Sequence, residues 1–338
     1  MTSSVFAVAD ACRSTPRRLN YYRRIFAAYL LPQQSHLTFW HEVPEVNEGF
    51  KPEELGEYYM PFTAKADYPG QYDPDGIPLL NYHGVVGLQY NPIAIAQYGL
   101  GNYNLFRRTG SPERRLKFLA VADWLVAALD KNSAGLWIWN HHFDWEYRTP
   151  LKAPWYSALA QGQGISLLVR AYRETGEGTY LIAAQQAFES FLTAVDEGGV
   201  AYIDENGHTW FEEYIVFPPT HILNGFIWAS WGVYDYYLVT GEPTAQRLFH
   251  QAMQTLGANL QRYDAGFWSL YELSGTRLKM FASPFYHRLH IVQLRILYRL
   301  TQEETFRQYA TRWNGYRHNR AKRTAALLHK AIFKLCYY

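Results

Sequence analysis

The sequence predicts a mainly α-helical fold: an incomplete α/α toroid, a barrel of antiparallel helical hairpins, preceded by an N-terminal β-hairpin region. Three observations lead there. Helix-start signals recur, with Asn91-Pro92 and Ser111-Pro112 each placing a capping side chain before a proline at the first helical position. Apolar segments of roughly 12–20 residues are separated by short polar turns, which is the spacing of antiparallel helical neighbours. Several segments are apolar around most of their circumference and therefore suit an inner ring. No strict sequence period is visible, so the repeat is one of architecture only.

In chain order, residues 1–34 are expected to form an N-terminal helical extension. The apolar run Ile25–Leu31 follows Arg17, Arg18, Arg23 and Arg24, is short for a secretory signal, and reads as an amphipathic helix. Residues 35–90 are rich in Tyr, Pro, Gly and Asp. The turn signals of Gly70–Gly76 and the strand-like runs Ile77–Leu80 and Gly84–Tyr90 predict β-hairpins. Residues 91–316 are expected to form the α/α toroid domain. Its helices are predicted from Asn91, after Ser111-Pro112 through Leu129, and over Trp155–Arg173, Thr179–Val195, Pro219–Thr240, Pro243–Leu260, Pro284–Thr301 and Glu303–Trp313. Residues 317–338 are a basic C-terminal helix. Eight Lys and Arg residues from Arg307 onward meet no acid, a pattern that suits a solvated face or attraction to a polyanion or an acidic membrane surface.

Composition narrows the function classes. Hydrophobic residues make up 48% and charged residues 18%, which fits a globular chain. The net charge of +2 calls for no nucleic-acid partner. The 28 Tyr and 11 Trp exceed what a core needs and suit a glycan cleft, where flat rings stack on sugar faces. Cys12 and Cys336 make no disulfide framework, and no apolar run approaches the roughly 20 residues that span a bilayer. The expectation is a cytoplasmic protein, peripheral at the inner membrane through its basic C-terminus, able to form a homodimer, and without a metal site.

Three tyrosines fall in separate loops before or between helices: Tyr214 in Trp210-Phe-Glu-Glu-Tyr214, Tyr271, and Tyr286 in Ser283-Pro-Phe-Tyr-His-Arg-Leu-His290. A phenol, with an ordinary pKa near 10, serves as base or acid once its neighbours tune it. Phenols approaching a sugar from different sides could remove a proton beside a carboxylate and return one to the other face. The same pattern serves a polysaccharide lyase acting by β-elimination, or a non-catalytic glycan-binding protein.

Several segments, in order, resemble the C-terminal helical domain of the D-glucuronyl C5-epimerases. They are Tyr90-Asn-Pro-Ile-Ala-Ile-Ala-Gln-Tyr-Gly-Leu100, Trp155-Tyr-Ser-Ala-Leu-Ala-Gln-Gly-Gln-Gly-Ile-Ser166, Trp210–Tyr214, Ile222-Leu-Asn-Gly-Phe226, Leu270-Tyr-Glu-Leu273 and Tyr286-His-Arg-Leu-His290. The resemblance implies conversion of D-glucuronate to L-iduronate within an acidic, heparosan-like polysaccharide, with no organic cofactor. It implies Glu213, Tyr214, Tyr271 and Tyr286 as catalytic residues. The matched segments also hold the candidate substrate-binding residues Tyr90, Tyr98, Trp210 and Asn224, and further on His287, Arg288 and His290. Where the family has an Arg-His pair after the tyrosine motif, Tyr271-Glu-Leu273 runs into Ser274-Gly275. Arg277 or Lys279 is then the expected source of positive charge.

Overall fold

The computed structural model describes residues 39, 40 and 42–337; the expected helical extension over 1–34 lies outside them. Among the described residues, four helical hairpins form the body. Inner helices are α2 (Pro92–Thr109), α4 (Ala158–Thr175), α6 (Leu223–Thr240) and α8 (Pro284–Thr301). Their outer partners are α3 (Pro112–Ala127), α5 (Gly178–Leu192), α7 (Pro243–Asn259) and α9 (Glu304–His318). Each inner helix packs on its outer partner, and the inner helices adjoin in the order α2, α4, α6, α8. This is an α/α toroid with one side left open between α8 and α2.

The segment over 42–82 fills that opening. Asn104 of α2 accepts the backbone N–H of Tyr58 and donates to the carbonyl of Met60. Arg299 of α8 donates to Glu48 and to the carbonyl of Phe50, and its guanidinium lies 4.0 Å from the Phe50 ring centre. A short helix α1 (Thr63–Ala66) packs on α2. The expected β-hairpins appear as a three-stranded antiparallel meander, β1 (Gln71–Tyr72), β2 (Pro78–Asn81) and β3 (Leu88–Gln89).

Helix starts follow the local chemistry. Asn91 accepts from the N–H groups of Ile93 and Ala94 at the head of α2, and Ser157 and Ser283 cap α4 and α8 through their hydroxyls. The helix expected from Trp155 begins at Ala158. Trp155 and Tyr156 form β7 instead, paired with β6 (Asn140–His141), because the Ser157 cap fixes the start. Similarly, the helix expected from Pro219 begins at Leu223, since Thr220 and His221 give their backbone N–H groups to Glu212. Two further hairpins link the layers: β4 (Asp130–Lys131) with β5 (Trp137–Ile138), and β8 (Ala201–Ile203) with β9 (Thr209–Phe211).

A buried ion pair ties two inner helices to the N-terminal segment. Arg170 of α4 meets both oxygens of Asp235 of α6 at 2.6 and 3.1 Å, and Tyr59 donates to the same carboxylate at 2.7 Å. The α4–α6 crossing is close because both helices present glycine there. A Cβ on Gly162 would lie 2.6 Å from the Cα of Ala229, and one on Gly232 would lie 2.2 Å from the carbonyl oxygen of Gly162. Gly162→Ala is therefore expected to cost about 1–3 kcal/mol by forcing the backbones apart, read as a lower midpoint in denaturant or thermal unfolding.

The C-terminal helix α10 (Arg320–Tyr337) follows α9 and packs back on the body. Phe333 is fully buried against the loop over 271–282, while Leu327, Leu328, Ile332 and Leu335 are exposed on its other side. Among the described residues no helix is long and apolar enough to cross a membrane.

Candidate active site

The N-terminal turns of all four inner helices face one cleft enclosing about 1110 Å³, its open mouth included. Asn91 and Ile93 come from the start of α2, Trp155 and Leu159 from the start of α4. Asn224 and Trp228 come from α6, and Phe285, Tyr286 and Leu289 from α8. Helix N-termini carry partial positive charge, so this end of the toroid favours an anionic ligand. Trp40, residues 42–45 and 60–62, and Lys65 form a further wall, with Tyr82, Phe143 and Trp145 beside it.

Glu213 and Tyr214 reach the cleft because β9 ends two residues before Glu213, and the chain turns inward there. The Glu213 carboxyl lies against the first turn of α6, where Gly225 has no side chain; a Cβ there would fall 2.1 Å from Oε2. Burial is the main cause that lifts the Glu213 carboxyl to about 8; a hydrogen bond from Tyr214 opposes it, while the charges of Glu272 and Glu212 add to it. At neutral pH this carboxyl is mostly protonated. The Tyr214 ring packs 4.6 Å from that of Tyr147 and 5.7 Å from that of Trp155.

Tyr271 sits in a two-stranded turn rather than in a free loop. Its N–H donates to Met280, its carbonyl accepts from Leu223 at the head of α6, and Leu270 pairs with Phe281. Its ring meets Tyr286 edge-on at 4.9 Å, and the two phenols are hydrogen-bonded. Burial raises both phenols above their ordinary range, followed by the Glu213 charge. Tyr286 is placed by α8, whose cap Ser283 accepts the Tyr286 N–H.

The structure thus brings Glu213, Tyr214, Tyr271, Tyr286 and Asn224 to one cleft. Asn224 Oδ1 and Glu213 Oε2 are buried and have no hydrogen-bond partner among the described residues, leaving two polar atoms for a ligand. The other candidates lie elsewhere. His287 and His290 are fully buried in the wall behind Tyr271. His287 Nδ1 accepts from the Ser269 backbone N–H, its Nε2 donates to the carbonyl of Trp313, and Ser269 Oγ also meets His290 Nδ1 at 3.0 Å. Burial lowers both imidazoles, His287 to about 4, so both are neutral. Their contact with Ser269, two residues before Tyr271, makes them anchors of that segment. Trp210 is fully buried, stacked on His221. Tyr90 is bonded to Asp73 on the outside, and Tyr98 is buried beside Tyr72. Arg288 stands at the rim, 3.7 Å from Glu45 of the cleft wall. Arg277 and Lys279 are exposed and outside the cleft lining, so neither supplies charge to its wall.

A second cluster borders the site. Tyr147 donates to Glu272 at 2.5 Å, and the Arg148 guanidinium lies 2.8 Å from the other oxygen of that carboxylate. None of Tyr147, Arg148 and Glu272 is among the candidates read from the sequence; the signal that could have found them is the acid directly after Tyr271. Among the described residues, Lys65 is the one basic side chain lining the cleft. Burial lowers it to about 7 against the opposing charge of Glu42, and it donates to the carbonyl of Phe39. No sequence motif marks it.

Residues 131–315 match the family model described as D-glucuronyl C5-epimerase C-terminus. The chain belongs to the D-glucuronyl C5-epimerase family. The matched region carries Glu213, Tyr214, Tyr271, Tyr286 and Asn224. A D-glucuronyl C5-epimerase of Caenorhabditis elegans is 32% identical over 215 residues, which are 59% of this chain and 34% of that protein. An uncharacterized protein of Methanocaldococcus jannaschii is 31% identical over 198 residues, 58% of this chain and 63% of that protein. The matches therefore span less than two thirds of either relative. The cellobiose 2-epimerase of Spirochaeta thermophila superposes with a TM-score of 0.50 at 13% identity, covering 89% of this chain and 85% of that one, a likeness of fold alone.

The raised Glu213 carboxyl has a consequence for stability. The folded state holds the proton that the unfolded chain releases above about 4.5, so the unfolded state gains stability relative to the folded one as pH rises from there to about 8. Removing the titrating group removes this loss. Glu213→Gln is expected to gain on the wild type by a few kcal/mol, in order of magnitude, between pH 5 and pH 8. Thermal melts of both proteins across that range check it; a constant difference contradicts it.

Proposed function

We propose that the protein is a C5-epimerase of D-glucuronate residues within a heparosan-like uronate polymer, giving L-iduronate. The observation that carries this reading is the convergence of three phenols and a mostly protonated carboxyl on one cleft, within the region shared with the family. The C5–H bond breaks as a phenolate takes the proton, and the electron pair moves into the carboxylate to give an enolate. A second phenol then returns a proton to the opposite face of C5. Tyr214 serves one face and the Tyr271–Tyr286 pair the other. Glu213, bonded to Tyr214, relays the proton that restores the resting phenols. The enolate needs positive potential as charge builds on the substrate carboxylate; the N-terminal ends of the inner helices and Lys65 face the cleft that would supply it.

Deuterium incorporation at C5 in heavy water, followed by mass spectrometry or NMR of the polymer, tests the reading. Exchange with formation of iduronate supports it. An unsaturated, ultraviolet-absorbing product with chain shortening transfers the same first step to β-elimination. Binding without either change across a panel of uronans overturns catalysis altogether.

A further inference from the structure

The C-terminal helix α10 lies beyond the region that matches the family model, yet it packs directly behind the proposed active site. Phe333 is buried with Ile222, Tyr271, Met280 and Ala282, and Tyr214 and Tyr286 pack against the same cluster. His329 meets the Phe281 ring edge-on at 4.4 Å, and the Tyr337 hydroxyl accepts the Leu278 N–H. Lys330, one turn before Phe333, points inward. Its ammonium lies 5.5 Å from the centre of the Tyr271 ring and donates to the carbonyl of Phe281, at 3.2 Å.

The acid and the phenols around Tyr271 disfavour a phenolate. Glu213 lies beside it, and so do the phenols of Tyr286 on α8, Tyr214 after β9 and Tyr147 from the loop before β7. Among the described residues, Lys330 is the cation that lies against the Tyr271 ring. It faces Glu272 on the Tyr271 segment and His290 on α8, and Arg148 is already engaged by Glu272. A basic helix that sequence reading would give to a solvated face or a polyanion therefore turns one of its charges into the protein.

We propose that α10 completes the catalytic site, with Lys330 as a positioning residue that fixes the Tyr271 segment and sets a positive charge against the Tyr271 ring. This rests on the reading of Tyr271 as a proton-transfer group. The ring face attracts a cation, and the attraction grows when the phenol ionises. Lys330 thereby raises the phenolate fraction of Tyr271 at working pH. Burial lowers the Lys330 ammonium to about 8, against the raising charge of Glu272, so its contribution is present below that pH and is lost above it.

The test compares full-length wild type, Lys330→Met and Lys330→Arg in C5 deuterium exchange on a heparosan polymer from pH 6 to pH 9, with thermal melts alongside. Lys330→Met is expected to exchange about tenfold more slowly below pH 8, with kcat reduced and KM unchanged. The deficit should close above pH 8. Lys330→Arg should restore the rate and hold it above pH 8, because guanidinium stays charged. A Lys330→Met deficit independent of pH, or none, overturns the proposal; the former would mark a merely structural contact. A second measurement does not need turnover. NMR titration of lysines carrying reductively introduced ¹³C-methyl groups, with Lys330→Arg to identify the signal, should place Lys330 near 8. Titration like that of an exposed lysine overturns the proposal. A low Lys330 titration in a wild type that exchanges no C5 hydrogen on any uronan supports the contact and overturns the epimerase reading instead.

Discussion

Tyr271→Phe is expected to lower C5 exchange by about three orders of magnitude while leaving the fold intact. General acid–base groups contribute roughly 10²–10⁴-fold to rate. Tyr271 combines burial, a hydrogen bond to Tyr286 and a backbone held on both sides by Met280 and Leu223. Phenylalanine keeps the ring that packs with Ile222, Met280 and Phe333, so unfolding should change little. What disappears is the oxygen proposed to carry the proton. KM should change less than kcat, because the loss falls on the transition state. Deuterium incorporation into heparosan, with a thermal melt on the same sample, decides the matter. Exchange within tenfold of wild type would remove Tyr271 from the chemistry and leave Tyr286 with Tyr214 as the proton-transfer pair.

The second large effect comes from a residue without a side chain. Gly225→Ala puts a methyl group where the Glu213 carboxyl lies: the built Cβ falls 2.1 Å from Oε2 and 2.9 Å from both Cβ and Cδ. The carboxyl must leave the first turn of α6, and its hydrogen bond with Tyr214 leaves with it. Displacements of about 1 Å at a reacting centre cost on the order of 10²-fold in rate, and a loss of about that size is expected. Alanine also favours the helix over glycine by roughly 0.5–1 kcal/mol, which offsets part of the strain. The signature is a folded protein with poor exchange. Unaltered exchange would show that Glu213 can do its work from another position.

Much of the site was legible in the chain because its chemistry sits in short contiguous motifs. Tyr214 follows Glu213 directly, and Tyr286 stands in the first turn after the Ser283 cap, so local structure alone delivers both to helix or strand ends. Asn224 was legible for the same reason, two residues into α6. The histidines show the limit of that reasoning. His287 and His290 look like proton carriers beside Tyr286, but helix geometry turns them toward Ser269 and Trp313 and away from the cleft. A sequence reports which side chains share a segment; the face each one takes depends on what the helix packs against.

The charges were the least legible part. Arg277 and Lys279 follow Tyr271 closely in sequence yet end exposed. Lys65 and Lys330 lie more than 50 residues from it in either direction, and packing brings one to the cleft wall and the other to the back of the Tyr271 ring. The N-terminal segment and α10 are both placed by tertiary burial, of Phe50 and Tyr59 in one case and Phe333 in the other.

The sequence by itself determined the helical hairpins, their caps, the family and the phenols, since each is written in local spacing. Only the tertiary structure decided which groups tune those phenols. Burial is what lifts the Glu213 carboxyl to about 8, and the packing of β9 on α6 and of α10 on the Tyr271 segment is what sets Gly225 under Glu213 and Lys330 behind Tyr271. Desolvation and charge act through space over a few ångströms, and distance along the chain carries no record of them.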